Sequence, residues 1–467
     1  MVQCEGTDWR TRTCKVKNLY VAGLMAVFVA QDANMSLPEL RLWEYADTDG
    51  KDPTRPAIPL SQLLHVVDQS EAAALFAGRL AQGPVKAATA TRRGKGSMVR
   101  GGPVDQGAEN TAAVGSAEGY TALDRVVALQ PFLLKNWWHT MDDVSVTAFR
   151  FCKYFGQCRF EDMHPAASGV VFINAQPFFD IPGPAIEAFS CYGSLLRLEQ
   201  LPQDRLPHEA ARSLVVISET LFGVGDEITH PYTAESLHLR RANDTMRLRQ
   251  IELLRQCVGL PVEGTSRMVP NLRIVNREYG AGRSFLGLAE VLAVLDKRRP
   301  PGLQFNIEVV YPTGFNFTQQ AQLFDSTDIL VIGHGAAAGT MVFLPRRAVV
   351  LNLAALDMHR LQETSVVQGL PRPAFNVTYT KIFGDFYTDP IVDKLRTHEG
   401  FLALPPQDQA HLLLHPHKND PRTQRIVHHL FPDWHWAMFY FNIRPPTDVM
   451  VTELLDAVRL WYSKHSH

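Results

Sequence analysis

The sequence predicts an α/β protein of two Rossmann-like halves facing across a cleft, and three observations carry that expectation. Short runs rich in Val, Ile and Leu recur along the chain, each long enough for a buried strand and too short for a helix. They are Gly169–Ala175, Leu272–Asn276, Phe305–Tyr311, Asp328–Ile332 and Ala348–Leu353. Segments with helical spacing alternate with them, at Val144–Phe155, Ser284–Lys297 and Gln319–Phe324. Strands alternating with helices form sheets covered on both faces. Between the last two strands lies a turn of small residues around His334, Gly335, Ala336, Gly339 and Thr340. Strand, small-residue turn, short helix and strand is the unit that brings backbone N–H groups up to a phosphate. Small side chains let the ligand reach that backbone. The turn reads either as the floor of a nucleotide-sugar site or as the ligand-free closure of a βαβ unit.

At 467 residues the chain has room for two domains. An apolar fraction of 46% with 20% charged residues is that of a soluble globular protein. A formal net charge of −2 gives no electrostatic reason to expect nucleic acid or an anionic membrane surface as a partner. No stretch reaches the roughly 18 apolar residues that a bilayer span needs. The best candidate, Leu19–Ala30, reads as a buried strand, so a membrane would be reached only through an anchor outside this sequence. Cys4, Cys14, Cys152, Cys158, Cys191 and Cys257 lack the Cys-x-x-Cys spacing of a zinc site, and proximity favours Cys4–Cys14 as a pair. An even cysteine count and N-x-S/T sequons at Asn34, Asn243, Asn316 and Asn376 point to the secretory lumen. Met1–Arg12 does not read as a signal peptide. Either the start is internal to a longer, anchored product, or the protein is not lumenal.

In chain order, residues 1–81 mix apolar runs with a polar, Pro-containing stretch at Asp47–Pro59 and a helix at Gln62–Leu80. Residues 82–119 turn to Gly, Ala, Thr and Ser, a composition that predicts a disordered insertion. Its basic knot, Arg92, Arg93 and Lys95, lacks the interleaved aromatics of a nucleic-acid site. Order resumes over 120–265, with Ala122–Leu134 as strand or helix, strands at Leu214–Ile217 and Phe222–Val224, and an exposed helix at Ser236–Gln256. Residues 266–440 hold the second alternating half. Residues 441–467 end in a helix at Val449–Lys464, expected to pack back on the N-terminal half.

Few residues stand out as carriers of chemistry. His139 and Asp143 share a face if their segment is helical. A carboxylate beside an imidazole makes a proton acceptor, since each stabilises the other's charged form. The same stretch also reads as a helix start capped by Asn136, with Trp137 and Trp138 in the core. Arg273, Arg277 and Arg283 flank the first strand of the second half, where guanidinium groups can grip a diphosphate in bidentate fashion. Any one of them alone reads as a solvated surface arginine. His334 ends a strand and can donate to a phosphate or sugar hydroxyl, or serve as an ordinary hydrogen-bonding residue. Asp47 and Asp49 form a D-x-D with no strand running into it, and read as a solvated turn rather than a metal site. The chain lacks a Ser-His-Asp elbow, a P-loop, an H-E-x-x-H and the G-x-G-x-x-G of a dinucleotide enzyme.

Taken together these stretches resemble glycosyltransferase family 61. The family's run close to D-x-L-V-G-x-H-G-A-G-L-T-x-x-L-F-L-P is followed in register from Asp328 to Pro345. Its upstream Gln matches Gln320, its two arginines match Arg277 and Arg283, and its N-x-x-H-x-x-x-D matches Asn136, His139 and Asp143. Cys4–Leu19 is similar to the cysteine-bearing start of the family's protein-modifying N-acetylglucosaminyltransferases. The chain departs from the pattern at Ala337, Ala338, Gly339 and Thr340, and has no Asn after Arg283 where the family has one.

The resemblance implies a GT-B fold and an inverting, metal-independent transfer from a UDP-sugar to a hydroxyl of a protein or glycan. It implies Asp143 as the base, with His139 as its partner or the alternative base. Arg277, Arg283, Gln320, His334, Gly335, Ala336, Gly339 and Thr340 would surround the donor, with no metal and no cofactor beyond the donor itself. Residues 1–81 and 120–265 would then form an acceptor-side domain and 266–440 the nucleotide-sugar domain, in the endoplasmic reticulum or Golgi lumen. The N-terminus favours UDP-GlcNAc. UDP-xylose stands as the alternative, through the plant N-glycan β-1,2-xylosyltransferases that share the C-terminal run. A catalytically silent sugar-binding relative is the third reading, motivated by Ala337 and the displaced threonine.

Overall fold

The computed structural model describes residues 1–6, 12–22, 24–30, 35–40, 58–80, 84–85, 120–129, 137–157, 162–163, 165–173, 181–198, 214–223, 244–264, 267–278, 282–333, 336–355, 378–387, 395–416, 420–432 and 440–465. The chain divides into two compact units, Met1–Cys257 and Val258–His467.

The first unit contains β1 (Val2–Glu5), β2 (Thr13–Ala22), β3 (Met25–Val29), β4 (Glu39–Leu40), β5 (Ile58–Pro59), β6 (Leu64–Val67) and α1 (Gln69–Leu80). It continues with β7 (Pro84–Val85), β8 (Tyr120–Leu129), α2 (Trp137–Phe155), β9 (Ser168–Ile173), α3 (Gly183–Phe189), β10 (Ser194–Leu198), β11 (Leu214–Gly223) and α4 (Asp244–Cys257). Its main sheet runs β10-β9-β8-β11-β2-β3-β6, with β1 on β2 and β7 on β8. The block β10-β9-β8-β11 is parallel. Strand β2 is antiparallel to both its neighbours, β11 and β3. This half is therefore a mixed sheet where a Rossmann-like one was expected. The reason lies at Ala22 and Met25, which pair across the end of a hairpin. A link that short allows only antiparallel strands, because a parallel pair needs a long crossover.

Several elements differ from the sequence expectation. Leu19–Ala30 is a hairpin rather than one strand, and β6 occupies part of the helix expected from Gln62. Leu214–Gly223 is one strand rather than two. Its polar Ser218 faces outward between buried Ile217 and Thr220, so polarity there marks alternation and not a break. Tyr120–Leu129 settles as a strand. The 82–119 segment lies outside the described residues apart from β7.

Disulfides staple this unit. Cys4–Cys14 links partners directly opposite in the β1–β2 register, and Cys191–Cys257 ties the turn after α3 to the end of α4. Cys152 is disulfide-bonded as well.

The second unit contains β12 (Asn271–Val275), α5 (Leu288–Arg298), β13 (Asn306–Val310), α6 (Phe317–Asp325), β14 (Ile329–Gly333), a 3-10 helix at Ala336–Phe343 and β15 (Val349–Ala355). It ends with β16 (Thr378–Tyr387), α7 (Glu399–Leu402), α8 (Pro406–Leu414), α9 (Pro421–Leu430), β17 (Asn442–Arg444) and α10 (Thr447–His465). The order is β13-β12-β14-β15-β16-β17, parallel except for β17 at the edge. Because β13 and β14 lie on opposite sides of β12, right-handed crossovers put α5 and α6 on opposite faces. Asn316 starts α6 with a capping box, exchanging bonds with Gln319.

Helix α10 carries a buried apolar face. Met450, Val451, Leu454, Val458 and Trp461 share a buried cluster with Leu272 and Ile274 of β12, Val291 of α5 and Leu351 of β15. The last helix thus lies in the core of the second unit. Each such side chain, fully buried, contributes about 1.5–3 kcal/mol, which is enough to decide where an amphipathic helix docks.

The Cys191–Cys257 bond spans 66 residues of sequence. Cys257→Ser should weaken the first unit by about 2–5 kcal/mol, seen as an earlier transition in urea. An unchanged urea profile would show that this staple is idle.

Candidate functional site

Open α/β sheets bind ligands beyond the C-terminal strand ends, where the strand order reverses. In the second unit that reversal falls between β12 and β14, whose Val275 and Ile332 are paired. The chain leaves β12 as Asn276 and Arg277. It leaves β14 from Gly333 into His334 and Gly335, which lie outside the described residues, and re-enters them at Ala336, the first residue of the 3-10 helix.

The loop after β12 is held at its neck by one side chain. Asn276 is 7% exposed. Its Oδ1 accepts the N–H of Arg277 at 2.8 Å and of Phe285 at 2.7 Å, and its Nδ2 donates to the Phe285 carbonyl at 3.2 Å. Within the loop the Ser284 hydroxyl donates to the Glu278 carbonyl at 2.8 Å.

The returning arm is sewn to the segment entering β17. Arg283 N–H donates to the Phe441 carbonyl, Leu286 N–H to the Ile443 carbonyl and Ile443 N–H to the Ser284 carbonyl, each at 2.9 Å. Ser284 N–H donates to Oδ1 of the fully buried Asn442 at 3.1 Å. Gly282 and Arg283 are consecutive left-handed residues, with φ of 74° and 60°. For an arginine that conformation costs about 1–2 kcal/mol, a cost the surrounding hydrogen bonds offset. The turn brings the Arg283 carbonyl oxygen to 3.5 Å from where a Cβ on Gly333 would lie. Arg283 therefore adjoins the mouth of the small-residue turn.

Arg277 and Arg283 are both partly buried. Burial lowers the pKa of Arg277; burial first, and the charge of Arg277 second, push Arg283 down to about 9. Two neighbouring cations withdrawn from water favour an anion between them. Arg273, earlier on the same strand, is different in kind. It pairs with Glu308 at 2.9 Å and donates to the Leu323 carbonyl, to Ser326 and to Thr327. That arginine staples β12, β13 and the end of α6 together.

The remaining sequence-nominated residues fall as follows. Gln320 lies on α6, and its Nε2 donates to the Phe315 carbonyl at 3.0 Å, holding the loop after β13. Gly339 and Thr340 are buried in the 3-10 helix, and the Thr340 hydroxyl donates to the Ala337 carbonyl. That hydroxyl is committed to the turn itself. His139 and Asp143 lie one turn apart on α2, of which only the backbone is described at those positions. Asn136, Asp47 and Asp49 lie outside the described residues. Among the described residues no group of three His, Cys, Asp or Glu side chains could hold a metal ion. Asn276 and Asn442 were missed by sequence reasoning, which counted the first as a strand residue and the second as tail.

A doubly wound parallel sheet with adjacent guanidiniums at its switch point has the arrangement of a protein that binds a phosphate-bearing ligand. The family model described as Glycosyltransferase 61 matches residues 137–351, from the first residue of α2 into β15. That stretch, which takes in His139, Asp143, both arginines and the turn, supports membership of glycosyltransferase family 61. Membership supports glycosyl transfer in general terms, with a sugar donor and a glycan or glycoprotein acceptor. Members of the family are generally enzymes of the secretory pathway. Among the described residues no helix is long and apolar enough to cross a membrane. No curated protein matches the chain.

Inorganic pyrophosphate should raise the thermal midpoint of the protein by mass action. Arg277→Met should remove that rise without lowering the midpoint of the ligand-free protein, since it deletes a desolvated like charge. A midpoint that falls in Arg277→Met while the pyrophosphate response persists would make Arg277 a structural residue.

Proposed function

We propose that the chain is an inverting, metal-independent glycosyltransferase that moves a sugar, N-acetylglucosamine in the favoured reading, from a UDP-sugar to a hydroxyl of a protein or glycan. The observation that carries this reading is the Arg277–Arg283 pair at the switch point, beside Gly333, in a stretch that matches glycosyltransferase family 61. In such a transfer the acceptor oxygen attacks C1 of the sugar as the C1–O bond to the diphosphate breaks. UDP departs with the bonding electrons, and the acceptor's proton goes to a base. Negative charge grows on the diphosphate in the transition state, where two fixed cations and backbone N–H groups are worth most.

Arg277 and Arg283 are assigned to the diphosphate, with His334, Gly335, Ala336 and Gly339 offering backbone around it. Thr340 shapes the turn, its hydroxyl being engaged with Ala337. Gln320 supports the neighbouring loop. Asp143 is assigned as the base, with His139 as its partner or the alternative base. UDP-xylose remains the alternative donor. The compartment proposed is the lumen of the endoplasmic reticulum or Golgi, a reading supported by the disulfides in the first unit.

One observation favours a second reading, a sugar-binding relative without turnover. The only threonine of the turn gives its hydroxyl proton to the turn's own backbone, so it offers none to the diphosphate. Release of UDP from UDP-GlcNAc or UDP-xylose separates the two. Turnover should appear with one of these donors, survive EDTA, and fall by about 100-fold or more in Arg277→Ala. Asp143→Asn should lose turnover to a similar degree while still binding UDP. A strict requirement for manganese would contradict the assignment, and no release from either donor would favour the silent reading.

A further inference from the structure

The two arginines do not hold themselves in place. Arg277 leaves the end of β12, whereas Arg283 sits in a left-handed conformation at the far side of the same loop. Two buried asparagines hold the backbone at Arg277, Ser284 and Phe285. Asn276 clips both arms of the loop together through Arg277 and Phe285, using three hydrogen bonds of 2.7–3.2 Å. Asn442 takes the Ser284 N–H on the outer side, within the run of backbone bonds that joins 283–286 to 441–443. Phe285 and Ile443 form a parallel bridge, so this arm of the loop acts as a short strand laid against the chain at β17.

The register of that bridge matters, because β17 has no freedom to slide. It pairs antiparallel with β16. A Cβ on Gly384 of β16 would stand 2.5 Å from Ile443 Cγ2, so the two chains meet at the closest approach a glycine allows. Each bond from the loop to 441–443 is therefore anchored to the sheet edge, and a shift of one residue would carry Arg283 away from Gly333.

We propose that Asn276 and Asn442 are positioning residues for the diphosphate grip, setting the distance and direction of Arg277 and Arg283 from two sides of one loop. This rests on the donor-site reading above. The C-terminal segment thereby belongs to the site although it lies beyond the stretch matched by the family model.

The test compares UDP with uridine, which lacks the diphosphate, on the full chain and on Asn442→Ala and Asn276→Ser, with folding of each checked by circular dichroism. Affinity for UDP should fall by about tenfold or more, while affinity for uridine, read by ligand-observed NMR, changes by less than about threefold. Folded variants that bind UDP as well as the wild type would overturn the proposal. Equal losses for UDP and uridine would also overturn it, as the mark of a general structural lesion. If Asn442→Ala fails to fold, Asn276→Ser decides by the same two ligands. Wild-type protein that binds no UDP would overturn the donor-site reading itself, a result distinct from either failure of the asparagine proposal.

Discussion

Two guanidinium groups drawn out of water next to each other repel, and neither burial nor mutual contact favours their charge. Burial and the neighbouring charge both press against the charged form of Arg283. A backbone that keeps Arg277 and Arg283 in that relation must be held by other bonds, and the asparagine and β17 contacts are those bonds. Binding a multiply charged anion reverses the sign of the local electrostatics. What opposes folding in the free protein then favours the complex, and favours it most when negative charge is greatest, as it is on a departing diphosphate.

Strand ends decide which arginine does what. Arg273 and Arg277 lie on the same stretch of chain, yet the first is inside β12, within reach of Glu308 and the end of α6. Its charge is answered by its own fold. Arg277 comes after the last paired residue of β12, Val275, which lies opposite Ile332 near the end of β14. The same residue type, four positions on, is partly buried, and burial lowers its pKa. The parallel order around β12 is what makes that strand end a crevice, and the burial of α10 against β12 and β15 helps hold that order.

Much of the second unit was legible because its central strands β12 and β14 are largely buried, so their apolar runs end where the strands end. Leu272–Asn276 and Asp328–Ile332 each fall within a residue of β12 and β14. Arginines just past such a run announce a strand-end site without a structure. Other features were not legible, for physical reasons that differ. An amphipathic helix states that it will be buried but not against what, so the packing of α10 on β12 and β15 could not be read from its spacing. The mixed sheet of the first unit follows from a hairpin link hidden inside a continuous apolar stretch. Thr340 showed a hydroxyl, but sequence carries no direction for it, and it turned to Ala337. Asn442 stands 158 residues from the Ser284 amide it accepts, and no spacing rule connects positions so far apart.

The central claim is that these paired cations exist to hold a diphosphate at the β12–β14 switch point. A crystal structure of the full chain with UDP bound tests it most directly. The account predicts phosphate oxygens within hydrogen-bonding distance of both Arg277 and Arg283, with the diphosphate lying against the backbone that follows Gly333. Density for UDP at any other strand edge, with either guanidinium turned away from the phosphates, would contradict it.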